Sequence, residues 1–289
     1  MEGLLKRIEN HRNRFSKGQN RIADYIVRYY DRAALMTAAK LGEAVGVSES
    51  TVVRFAYSIG MDGYPEMQEA MQELLRRRQT TLQRSQAAAS IPEDEMLHTI
   101  LSLDMNNIRQ TMDLIDAETF SNAVRLIARA KHVYIIGIRS AYAAAQFFAY
   151  YLSFIREDVV IVSGMEQDAF DKMIRIGSDD VCFGMSFPRY NVHTLNAMRF
   201  AKEHGAKIIA LTDNQESPAA ALSDCTLCAR SDIASFADSL VAPLSVLNAL
   251  LSAVGKARQD SARKSLAELE RIWSREGMYL MDREPEDKA

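Results

Sequence analysis

From residue 133 onward, short apolar runs alternate with stretches of helical spacing, and few folds satisfy that pattern. The runs are "VYIIGI" (133–138), "VVIV" (159–162), "DVCFGMS" (180–186), "AKIIALT" (206–212) and "CTLCA" (225–229). Between them lie "RSAYAAAQFFAYYLSFI", "EQDAFDKMIRI" and "VHTLNAMRFAKEHG", with a short helix expected around "SPAAALS". Strands without polar alternation are buried on both faces, and helical crossovers make neighbours parallel. The expectation is a five-stranded parallel sheet with helices on both faces. Beyond it, an apolar stretch predicts one long helix over 236–257, rich enough in Leu, Val and Ala to bury against a partner subunit. A homodimer or homotetramer is therefore expected. "SARKSLAELERIW" predicts an amphipathic tail helix.

The first 80 residues follow another rule. Ile22, Tyr25, Ile26 and Tyr29 recur at helical spacing, as do Leu41, Val45, Val52, Phe55 and Ile59 in two shorter pieces. Polar and small residues fill 76–92, ending in Pro92, and 94–130 predicts two more helices. The expected organisation is an all-α domain over 1–80, a linker and connecting helix over 81–115, and an α/β domain over 116–289. Residues 1–85 carry a net charge of +4 and the remainder −7. A basic front on an acidic body fits a small nucleic-acid module joined to a domain of another purpose.

Three cysteines, Cys182, Cys225 and Cys228, cannot build a disulfide framework. Cys225 and Cys228 sit three apart on a predicted strand, facing opposite sides, so neither a metal site nor any cofactor is expected. The N-terminus lacks a signal-peptide core, and no apolar run approaches the ~20 residues that span a bilayer. A cytoplasmic chain without membrane partners is expected.

In "AAKLGEAVGVSESTVVRFAYSIGM", Gly42 and Gly46 lie one helical turn apart and let two helices approach around a tight turn. Ser48 can cap the second helix. Val52, Phe55 and Ile59 bury one of its faces, leaving Ser50, Thr51, Arg54 and Tyr57 outside. This is a helix-turn-helix pattern whose second helix can enter a major groove. Ser48, Ser50, Thr51, Arg54 and Tyr57 are the candidate DNA contacts, Arg54 pairing with guanine or phosphate. Arg12, Arg14, Lys17 and Arg21 add positive charge. The run Val47–Phe55, followed by Gly60, Met61, Gly63 and Tyr64, resembles the N-terminal domain of RpiR-type bacterial transcription regulators. That resemblance implies double-stranded DNA as partner, with an inverted-repeat operator if the assembly is two-fold. It also implies that the α/β half is a sugar isomerase (SIS) domain, which binds phosphorylated sugars.

In open parallel sheets, ligands sit beyond the carboxyl ends of the strands. The candidate loops are Gly137–Ser140, Ser163–Glu166, Ser186–Asn191 and Thr212–Ser217. Each feeds a helix start that favours anions. SIS domains carry Gly-x-Gly-x-Ser after the first strand and Ser-x-Ser-Gly-x-Thr/Ser after the third. Here "GIRSA" puts Arg139 at the second glycine, and "SFPRYN" puts Pro188 and Arg189 at Ser-Gly. The loop is expected to have lost backbone freedom and hydroxyls but gained two cations. Arg139, Ser140, Ser186, Arg189, Tyr190, Thr212 and Ser217 are the candidate effector contacts, with Ser186 ending the third strand. The effector is expected to be a small anionic metabolite, a phosphosugar or related sugar acid. The competing reading has both arginines holding carboxylates such as Asp213 or Glu166. A sugar-phosphate isomerase is the alternative function, with Glu166 and His193 as its only acid–base candidates. The helix-turn-helix and the missing Ser-Gly favour a regulator without catalysis.

Overall fold

The computed structural model describes residues 4–78, 80–163, 168–232 and 235–280, and the chain divides into two compact units, 1–89 and 90–289. The first is all helix: α1 (Leu4–His11), α2 (Lys17–Ala33), α3 (Ala38–Val45), α4 (Glu49–Ser58), α5 (Tyr64–Arg78) and α6 (Thr81–Ala88). Ser16 and Gln19 form a reciprocal capping box at the start of α2. Ile22 and Ile26 of α2, Leu41 of α3, and Val52 and Phe55 of α4 are fully buried in one core, with Ile59 just beyond α4. Tyr25 packs at the core edge, whereas Tyr29 is exposed at a kink, with φ −134° and ψ 40°.

The second unit opens with α7 (Glu93–Leu114) and α8 (Ala117–Arg129). Then follow β1 (Val133–Gly137), α9 (Ser140–Leu152), β2 (Val159–Ser163), α10 (Asp168–Met173), β3 (Val181–Met185), α11 (Val192–Glu203), β4 (Lys207–Thr212) and β5 (Cys225–Cys228). The sheet is wholly parallel in the order β2-β1-β3-β4-β5. Alternation of side chains along each strand divides two cores. Val133, Ile135, Phe183, Ile209 and Leu211 face one side, with Phe148 of α9. Tyr134, Ile136, Cys182, Ile208 and Ala210 face the other, with Met198 and Ala201 of α11. Among the described residues no helix is long and apolar enough to cross a membrane, and no cluster of three metal-ligating side chains occurs.

Three expectations change. The short helix around 217–223 is only a 3₁₀ turn, Ala220–Leu222. The third strand ends at Met185, one residue before Ser186. The long apolar helix is α12 (Val241–Ala257), followed by α13 (Gln259–Arg275), so 236–240 is not helical. The reason is Pro243: without an N–H it fits the first helical turn, whose amides have no partner anyway, but not the interior of a helix begun at 236.

Candidate functional site

The turn between α3 and α4 is a Schellman closure. Gly46 sits at φ 70°, its N–H donates to the Glu43 carbonyl, and Val47 N–H donates to the Gly42 carbonyl. A Cβ on Gly42 would lie 2.8 Å from the Val47 carbonyl oxygen, so the close approach requires glycine. Ser48 caps α4: its Oγ accepts from Thr51 N–H at 3.3 Å and bonds the hydroxyls of Ser50 and Thr51. Arg54 is exposed and donates only locally, to the Ser50 carbonyl at 3.2 Å, while Tyr57 is 59% exposed. The five candidates therefore share one helix start and its outer face. Two of the accompanying cations have other duties. Arg12 pairs with Asp24 at 2.9 Å, and Arg21 donates to the Gly46 carbonyl at 2.9 Å, bracing the turn.

In the second unit, a cavity of about 320 Å³ opens at the carboxyl ends of β1 and β3. Arg139, Ser140, Ser186, Arg189, Asn191 and Asp238 line it. Gly137 permits the loop: a Cβ there would meet the Ala141 carbonyl oxygen at 2.6 Å. The expected loss of backbone freedom does not occur. Arg139 has φ 61° with ψ −128°, and Arg189 has φ 46°. Among the described residues they are the two non-glycine positions at positive φ. The backbone keeps the conformations that glycine usually supplies, at a cost of about 1–3 kcal/mol each, and gains two guanidinium groups. The two helix starts at the cavity differ. Asn191 caps α11 by accepting from His193 and Thr194 N–H, whereas Arg139 gives α9 no side-chain cap. The start of α9 thus has no side-chain cap, and its dipole favours negative charge there. Ser186 is 2% exposed, and its hydroxyl has no partner in the structure. An unmatched buried hydroxyl costs about 1–3 kcal/mol.

Three candidates do not line the cavity. Tyr190 Oη and Thr212 Oγ1 both donate to Asp213 Oδ1, at 2.9 and 3.2 Å. Thr212 is fully buried. Ser217 Oγ accepts from Ala220 N–H and fixes the 3₁₀ turn. The loop carrying Glu166 lies outside the described residues. His193 is exposed and off the cavity wall. Asp238 is not among the sequence candidates, because the apolar stretch over 236–257 predicts it inside the long helix. The two-residue offset from Val241 to Pro243 was the signal that the helix starts later.

Comparison with known proteins matches both halves. The model of the rpiR-family helix-turn-helix domain matches residues 2–77, and the SIS domain model matches 126–253. An uncharacterized HTH-type transcriptional regulator of Clostridium perfringens is 26% identical over 77% of this chain and 80% of its own. HexR, an HTH-type transcriptional regulator of Pseudomonas aeruginosa, is 25% identical over 73% of this chain and 74% of its own. The sugar isomerase domain of an RpiR transcription factor from Sphaerobacter thermophilus superposes with a TM-score of 0.59 at 26% identity, over 61% of this chain and 99% of that one. The Vibrio vulnificus NanR protein, solved complexed with ManNAc-6P, shares the fold over 94% of this chain and 98% of its own, with a TM-score of 0.54 at 21% identity. An rpiR-family helix-turn-helix domain followed by an SIS domain, with curated relatives named as HTH-type transcriptional regulators, identifies the chain as a DNA-binding transcriptional regulator with an SIS domain.

Proposed function

We propose that this regulator senses a phosphorylated sugar, or a sugar acid of similar charge, in the cavity between β1 and β3. The observation that carries the reading is the pair of arginines at positive φ, one from each loop, beside an unmatched buried serine and an uncapped helix start. Backbone strain held at a cavity mouth is a mark of a site built for a ligand. A planar guanidinium offers an anion two parallel donors in place of the Ser-Gly hydroxyl and amide. The cavity volume suits a small metabolite. That NanR, on the same fold, is solved with a phosphosugar supports the choice of ligand class.

Arg139, Ser140, Ser186 and Arg189 are proposed as the effector contacts, with Tyr190, Thr212 and Ser217 holding the neighbouring loop through Asp213 and the 3₁₀ turn. Ser48, Ser50, Thr51, Arg54 and Tyr57 are proposed as the DNA contacts. In a symmetric dimer or tetramer, two such helices would read an inverted repeat.

A thermal-shift screen of sugar phosphates and sugar acids tests the reading, since a bound effector raises stability by mass action. Arg189→Ala is expected to weaken the best binder ten- to a hundredfold, from a charge-assisted bond of about 1.5–3 kcal/mol. Operator binding without effector should be kept. Unaltered effector affinity in both Arg139→Ala and Arg189→Ala would mean that the arginines only hold the loops.

A further inference from the structure

The cavity proposed as an anion site already contains an anion. Asp238, from the non-helical segment before α12, lines it, and its Oδ2 accepts the hydrogen bond of Ser140 Oγ at the open start of α9. A serine hydroxyl has one proton to donate. While Asp238 holds it, no phosphate or carboxylate can take the same bond, and two like charges in so small a space repel.

The next residue points elsewhere. Ser239 Oγ donates to Asp104 Oδ1 on α7 at 2.6 Å. Further along α7, the fully buried Asn107 exchanges two bonds with the backbone of Asp232, at 3.0 and 3.2 Å. One turn on, Thr111 Oγ1 accepts from Arg230 N–H at 2.9 Å. Successive turns of α7 are thus stitched to the chain on either side of the cavity carboxylate. α7 is also the helix by which the second unit joins, through Ser90–Pro92, the chain of the first.

We propose that Asp238 is a built-in surrogate for the effector's anionic group. In the empty protein it occupies the seat at Ser140. An incoming phosphate displaces it, and its departure is felt at Asp104 on α7 through Ser239. The proposal rests on the reading of the cavity as an anion site, and it makes α7 the element that reports occupancy.

Isothermal titration of the full chain with inorganic phosphate and with a hexose 6-phosphate tests it, alongside amide hydrogen exchange. Asp238→Asn is expected to bind phosphate about tenfold tighter than the wild type, because the competing charge is gone. Saturating phosphate should accelerate exchange in 235–240 and around Asp104 of the wild type. Asp238→Asn should show that faster exchange without phosphate. Weaker or equal binding by Asp238→Asn, while Arg189→Ala still weakens phosphate, overturns the surrogate and leaves the anion site standing. Tighter binding with no change in exchange also overturns it, since the carboxylate would then tune charge without moving. Absence of phosphate binding in both proteins, or no loss with Arg189→Ala, removes the anion site and the surrogate with it.

Discussion

The α3–α4 turn and the loops of the proposed effector cavity pose the same backbone problem and solve it in opposite ways. Each needs residues at positive φ where a helix ends or begins. In the α3–α4 turn, Gly46 takes φ 70° without a Cβ penalty. Beside the cavity, Arg139 and Arg189 take φ 61° and 46° and bear the strain. The first region has been relieved of cost because its role is to present a helix rigidly. The second retains cost at the two residues proposed to bind the effector.

The largest effect should come from closing the relieved turn. Gly42→Val drives side-chain atoms into the Val47 carbonyl, which is backbone and cannot rotate away. Denaturant titration should show the first unit about 3 kcal/mol less stable, with operator binding lost and phosphate binding kept. If the variant is as stable as the wild type, the turn is not the tight one described. Next comes the face that the turn presents. Arg54→Ala should cost about 1–3 kcal/mol of operator affinity in a gel-shift titration. A loss confined to one base position marks a base contact, and a uniform loss with a shallower salt slope marks a phosphate contact. The smallest effect sharpens the contrast most. Arg139→Gly should stabilise the second unit by about 1 kcal/mol while lowering effector affinity, whereas Gly46→Ala should destabilise the first by a similar amount. A destabilised Arg139→Gly would mean that the guanidinium supports the fold more than the strain opposes it.

These differences follow how legible each region is in the sequence. The helix-turn-helix is local: Gly42, Gly46, Ser48 and the spacing of Val52, Phe55 and Ile59 state the turn, cap and buried face within twenty residues. The parallel sheet was also legible, because strands buried on both sides keep near-continuous apolar runs. The cavity is assembled from loops far apart in the chain, Ser140 and Asp238 being 98 residues apart, and only its general place follows from the strand ends. Arginine at a glycine position suggests lost backbone freedom, and nothing local states that the fold enforces positive φ regardless. Thr212 and Ser217 look like ligand hydroxyls from their loop, but burial and local bonds commit them elsewhere. Asp238 was hidden by an apolar neighbourhood that outweighed one proline.

The three thiols carry a consequence for what this regulator cannot hear. Cys182, Cys225 and Cys228 are all buried and free, and burial pushes Cys182 up to about 12 and Cys228 to about 11, with Cys225 raised as well. Peroxides and electrophiles attack the thiolate, which at neutral pH is almost absent from such groups. The sulfur atoms serve the sheet as small apolar packing groups. Alkylating reagents should therefore label the folded protein very slowly, and thiol-directed oxidants should leave its operator binding unchanged.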